Sequence, residues 1–201
     1  MDSPRGIDNA KSRARAASLA RMADGAHFWW PVSQAPASAK GRAFRDHWLG
    51  LRDGQGMPPR SALDPVDIAP LLPHIVLVEV LRDPLRFRYR LIGTFVTGLA
   101  GRDATGRLLD HTLYGRNLGA LVWPYQQVVE RREPVATLSG LLFADRDWQG
   151  VENMFVPFRE DGEDGEGGEG GDVATIAVCI DINPNRNQHD LTSGLVIDWR
   201  G

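Results

Sequence analysis

HIVLVEVLRDPLRFRYRLIGTFVTGLAGRDATG, residues 74 to 106, decides the fold. Ile75 to Leu81 is a nearly continuous apolar run that stops at Arg82-Asp83-Pro84. Strict alternation follows, with Phe87, Tyr89 and Leu91 set against Arg86, Arg88 and Arg90. Proline cannot donate to a strand ladder and Asp-Pro favours a turn, so the two runs predict a β-hairpin. A period of two places Phe87, Tyr89 and Leu91 on one inward face and three guanidinium groups on the other. Gly93 breaks the second strand. Short helical pieces punctuated by Gly98, Gly101 and Gly106 must then fold back over the apolar face, which needs a cover.

Upstream, residues 1–40 are rich in Ala, Ser and Arg and read as a flexible arm, with a transient helix over Ala10 to Arg21. Phe28-Trp29-Trp30 interrupts that polar arm and either docks on its own domain or meets a partner. Residues 41–73 read as a flanking helix and connector. In the helix, Ala43 to Arg52, Phe44, Trp48 and Leu51 share one face, and Gly54 and Gly56 stop it. Asp64-Pro65-Val66-Asp67 predicts a short helix capped by Asp64, with Ile68, Leu71 and Leu72 on its apolar side. Asp64 is therefore assigned a capping role, not a catalytic one.

Downstream, Phe95, Leu99, Leu108 and Leu109 are spaced to line the interior. Leu118 to Arg132 repeats apolar residues at helical spacing, with Asn117 at its start and Pro124 as a kink. Three strands follow, at Val135 to Phe143, Gly150 to Phe158 and Val173 to Ile182. Between the last two, residues 160–172 hold only acidic residues and glycine, which predicts a disordered hairpin tip. That loop lacks the ligand order of a calcium hand. Residues 184–201 form a tail whose apolar part, Leu191 to Trp199, suits a further strand or a docked segment.

Composition narrows the functional classes. The 201 residues are 42% hydrophobic with a net charge of −3, which predicts one globular domain with tails. The isoelectric point near 5.9 argues against nucleic-acid binding through bulk positive charge. Cys179 stands alone, so no internal disulfide is possible and a reducing cytoplasm suits the chain. No apolar run is long enough to span a membrane, and the N-terminus lacks the apolar core of a secretory signal.

A two-strand opening, several short helices, a longer helix and three more strands resemble a PAS domain. Phe87-Arg88-Tyr89-Arg90-Leu91-Ile92-Gly93-Thr94 and Gly101-Arg102-Asp103-Ala104-Thr105-Gly106 are similar to the alphaproteobacterial single-PAS family. So is Met57-Pro58-Pro59-Arg60-Ser61-Ala62-Leu63-Asp64-Pro65, and the likeness extends over about Phe44 to Ile182. The resemblance implies an α+β fold: a five-stranded antiparallel sheet, short helices over one face, and an N-terminal flanking helix. The domain core would be residues 74–183. It also implies a non-enzymatic sensory and interaction module that encloses a small-molecule cavity. Expected wall residues are Tyr89, Phe95, Trp123, Tyr125 and Asn153, each of which also reads as plain core or surface. Arg102 and Asp103 read either as a polar brace or as ligand contacts, with Arg102 meeting an anionic group. His111, the one histidine near the long helix, is a further expected cavity residue. Phe44, Trp48 and Leu51 would pack on the sheet or pair with a second subunit, giving a homodimer or a signalling partner. The alternative is a structural adaptor with a filled core. No kinase, cyclase or DNA-binding output is expected within these residues.

Known cofactors of such modules leave marks that are missing here. A flavin photosensor needs a thiol where this chain has Ala104, and Cys179 belongs to the last strand. A haem site needs a histidine on the long helix, and Leu118 to Arg132 has none. His27, His47, His74, His111 and His189 show no zinc spacing. No phosphate loop, nucleophile elbow or paired-carboxylate pattern is present. Asp145 and Asp147, flanking Arg146, read as a solvated turn.

Overall fold

A computed structural model describes residues 28–29, 38–52, 54, 56–141, 146–162 and 171–182. The expectations for residues 1–27 and for the tail from 183 onward lie outside these, as does most of the acidic loop, residues 163–170. The elements are strand β1 (Phe28–Trp29), helix α1 (Ala39–Gly50), strands β2 (Ile75–Leu81) and β3 (Arg86–Ile92), and helices α2 (Thr94–Ala100), α3 (His111–Tyr114) and α4 (Leu118–Arg131). Strands β4 (Val135–Leu141), β5 (Arg146–Arg159) and β6 (Val173–Ile182) complete the chain. The expected α+β fold with five main antiparallel strands is present. A sixth, two-residue edge strand joins it through backbone pairing of Phe28 with Leu138 and Trp29 with Thr137. The order is β1-β4-β5-β6-β2-β3, so the last strand sits between β5 and the opening hairpin.

Both faces of this sheet are covered, which explains why Ile75 to Val78 is apolar without alternation. On the front face Val76, Val78, Phe87, Tyr89, Phe155, Ile176 and Val178 are buried beneath α2 and α4 with Val96, Tyr125 and Val128. On the back face Ile75, Leu77, Met154, Val156, Phe158, Ala177 and Cys179 are buried beneath α1 with Phe44 and Trp48. Leu63 and Ile68 of the connector extend that second core.

The hairpin departs from simple alternation at one point. Val78 pairs with Tyr89 but Leu77 pairs with Leu91, so Arg90 is an extra residue in β3. A bulge of this kind reverses the phase of the side chains. Leu91, expected inward beside Phe87 and Tyr89, therefore falls opposite the back-face Leu77 and is 43% exposed. Ile92 takes the front-face position opposite Val76. Arg86, Arg88 and Arg90 are exposed as expected, and Arg88 donates to Glu79 across the ladder at 2.7 Å. The outer edge of β3 is closed by residues 106–109. The Tyr89 N–H donates to Arg107 O at 3.0 Å, Gly106 N–H to Tyr89 O at 2.7 Å, and Leu109 N–H to Phe87 O at 2.8 Å.

Local chemistry sets the element ends. Asp64 accepts from the Val66 amide at 2.8 Å, but it closes a turn and not the expected helix start, since the helical segment begins only at Ala69 with Ile68 as its cap. Helix α1 begins four residues earlier than expected, because Ser38 is its N-cap and accepts from Gly41 N–H. Gly93 connects β3 to α2 through a tight gap: a Cβ there would lie 2.3 Å from the Pro73 carbonyl oxygen. Gly101 ends α2 with φ 65°, a left-handed conformation natural to glycine. Asn117 sits at the start of α4 with helical backbone and makes no side-chain cap bond.

Candidate functional site

Between the front face and the helices lies a cavity of about 60 Å³. The sheet contributes Val76, Tyr89, Ile92, Asn153, Phe155, Val178 and Ile180. Helices α2 and α4 add Val96, Ala100, Leu121, Pro124 and Tyr125, and the intervening segment adds Arg102, Ala104, Leu109 and Tyr114. Most of the wall is aliphatic. Among the described residues its polar groups are three phenols, one guanidinium and one carboxamide.

The three phenols are the only tyrosines in the chain. Tyr89 and Tyr114 meet hydroxyl to hydroxyl at 2.6 Å. Tyr125 is buried between Phe87 and Phe155, with ring centroids at 5.3 and 5.1 Å. Burial pushes the ionisation of all three above the ordinary phenol value, Tyr89 and Tyr125 most strongly. Tyr89 and Tyr125 are pushed further by the charge that each would feel from a neighbouring phenolate. The hydrogen bond with Tyr89 works the other way on Tyr114 and draws it back down, as do the charge and hydrogen bond of Arg102 and the charge of Arg107. The Arg102 guanidinium stands over the Tyr114 ring at 5.4 Å and donates to Leu113 O at 3.2 Å. Arg102 is exposed as well as lining the cavity, so it links the interior to solvent. The Asn153 amide donates to Thr137 Oγ1 at 2.9 Å, and both residues are buried.

Of the residues expected in the wall, Tyr89, Arg102, Tyr125 and Asn153 are brought together. Phe95 turns instead onto His74, ring centroids 4.1 Å apart. Trp123 packs against the front core without lining the cavity. Asp103 is exposed and folds back on Thr105, accepting from its amide at 2.9 Å and its hydroxyl at 2.7 Å. His111 is exposed at the start of α3. Tyr114, which the sequence reading passed over, sits at the end of that four-residue helix, where no periodicity marks it. Cys179 lies in the back core, across the sheet from the cavity, and burial pushes its thiol up to about 12.

A second polar cluster joins the cavity side to α1. Ser38 Oγ donates to Asp181 Oδ2 at 2.7 Å, and Lys40 Nζ reaches the same carboxylate at 3.2 Å. The Ser38 amide donates to the buried Glu152 at 2.8 Å. His74 Nδ1 lies 3.7 Å from Asp181 and 2.9 Å from the Ile180 carbonyl. A carbonyl only accepts, so Nδ1 carries a proton. His74 in turn stacks on Phe95 of α2. The cap of α1 is thus tied through Asp181 and His74 to a helix that walls the cavity.

Phe44 and Trp48 are 0% and 1% exposed, buried against the sheet of their own chain, and the Trp48 indole donates to Pro157 O at 2.8 Å. Leu51 is half-buried beside them. Among the described residues no helix is long and apolar enough to cross a membrane.

A family model described as PAS domain matches residues 37–167, well over half of the chain. The match runs from just before α1 to the acidic loop and leaves out β6, although β6 holds the centre of the sheet. Among curated proteins none matches the chain.

Proposed function

The chain belongs to the PAS-domain family, and from that premise we propose that it is a non-enzymatic sensory module. A small molecule occupies the cavity between sheet and helices, and occupancy changes how α1 sits on the back of the sheet. One observation carries this reading: every tyrosine of the chain, with Arg102 and Asn153, converges on one apolar cavity. An apolar enclosure with a few converging polar groups is the usual form of a small-molecule site. A structural adaptor would instead need a filled core.

The signal leaves by population shift. A ligand pressing on Val96 moves α2, Phe95 follows, and the His74–Asp181 contact passes the change to Ser38 and Lys40 at the start of α1. Loosened from the sheet, α1 would offer Phe44, Trp48 and Leu51 to a partner or to a second copy of the chain.

Hydrogen exchange tests the route. Ala104→Val and Val96→Ile each add bulk inside the cavity and are expected to change exchange at the amides of residues 42–45. Asp181→Asn is expected to remove that response. Unaltered exchange in α1 for both cavity substitutions would refute the route.

A further inference from the structure

The cavity's polar groups are mostly donors. Tyr89, Tyr114, Tyr125 and Arg102 present O–H and N–H groups, Asn153 adds a carboxamide that donates to Thr137, and among the described residues no aspartate or glutamate lines the wall. In the Tyr89–Tyr114 pair one hydroxyl donates to the other, which leaves the second hydroxyl hydrogen seeking an acceptor. The charges nearest this pair are positive, Arg102 over the Tyr114 ring and Arg107 acting on the same phenol. Asp103, the neighbouring carboxylate in sequence, is turned onto Thr105 and takes no part in the wall. The remaining surface is apolar, largely from Val76, Ile92, Val96, Val178 and Ile180 with the ring of Phe155.

We infer that the cavity takes a short-chain monocarboxylate, its oxygens toward Arg102 and the Tyr89–Tyr114 hydroxyls and its hydrocarbon end against the valines and isoleucines of the sheet. This deepens the sensory reading and rests on it. Size sets the chain length. A volume of about 60 Å³ holds about four water-sized groups at roughly 15 Å³ each, which suits an acid of about four carbons with its carboxylate oxygens at the exposed Arg102. A guanidinium suits a carboxylate through paired, charge-assisted hydrogen bonds, and the low polarity of the rest of the wall strengthens them. A cationic ligand would face Arg102 with no opposite charge among the described residues of the wall. A neutral alcohol would forgo the charge-assisted bond.

Three probes of matched size separate the outcomes: butyrate, 1-butanol and butylammonium, titrated at constant ionic strength against the melting temperature of the full chain, with xenon as an uncharged cavity filler. Butyrate is expected to stabilise saturably and the other two organic probes weakly or not at all. Arg102→Gln, a change at an exposed residue, is expected to weaken butyrate by about tenfold or more while xenon binding persists. If 1-butanol binds as well as butyrate, or Arg102→Gln leaves butyrate unaffected, the carboxylate assignment falls and the cavity reading stands. If none of the four probes perturbs the protein, the cavity reading falls with it.

Discussion

Tyr89 of β3 and Tyr114 of α3 share one hydrogen bond at 2.6 Å, and it lies in the wall of a largely apolar cavity. Removing the Tyr114 hydroxyl strands that of Tyr89 in a desolvated place, and removing that of Tyr89 leaves Tyr114 with Arg102 alone, whereas removing both leaves neither phenol unpaired. Tyr89→Phe and Tyr114→Phe are each expected to cost about 1–2 kcal/mol in urea unfolding. The double variant should cost less than the two together, with a coupling of about 1 kcal/mol. Strict additivity would mean that the pair does not act as a unit.

Alkali should expose the same cluster. Folding holds these phenols neutral above their ordinary value of 10.0, because burial penalises the phenolate. Their contribution is complete below pH 10 and declines as the pH rises beyond it, since the unfolded chain then releases protons that the folded chain retains. All three tyrosines lie in the cavity, so tyrosinate absorbance reports on nothing else. The expected titration is flat through pH 10 and then rises together with the loss of tertiary structure. Half-ionisation near pH 10 in a folded chain would place the phenols in water.

Glycine-to-alanine changes five residues apart should have opposite signs. At Gly93 a Cβ meets the Pro73 carbonyl oxygen at 2.3 Å, and that obstacle is backbone, which cannot swing aside. Gly93→Ala is expected to destabilise by about 2 kcal/mol or more. Gly98 lies within α2 with open space around it, so Gly98→Ala should stabilise by about 0.5–1 kcal/mol through helix propensity. Melting curves of the two variants, run side by side, decide this.

Trp48 fastens α1 to the back of the sheet by both packing and its bond to Pro157 O. Trp48→Ala is expected to cost about 3–5 kcal/mol, and Trp48→Phe about 1–2 kcal/mol from the stranded carbonyl. Denaturant unfolding gives both values. A cost below about 1 kcal/mol for Trp48→Ala would mean that α1 is not docked there in solution.

The hairpin could be read from sequence because alternation over Arg86 to Arg90 and the Asp83-Pro84 break are both local signals. What the strand did next could not. The extra residue Arg90 is fixed by pairing with β2, a partner that alternation within one strand does not encode, and so Leu91 was placed on the wrong face. The site divides the same way. Tyr89 and Tyr125 lie on long elements whose periodicity indicates which way they face, whereas Asn153 lies on a strand buried on both faces, where only the resemblance pointed to it. Phe95 and His111 belong to short helices whose rotation depends on tertiary contacts, here His74 in the case of Phe95. Tyr114 carried one usable signal, the scarcity of tyrosine in the chain. The second cover, α1 on the back face, was foreshadowed by the nearly continuous apolar run of β2.

The most direct test of the sensory cavity is a methyl-resolved NMR titration with butyrate and, separately, with xenon. The prediction is that the methyls of Val76, Val96, Val178 and Ile180 shift first and saturate, while those of the exposed Leu72 and Leu85 stay in place. Shifts confined to Leu72 and Leu85, or no shift with either probe, would contradict it.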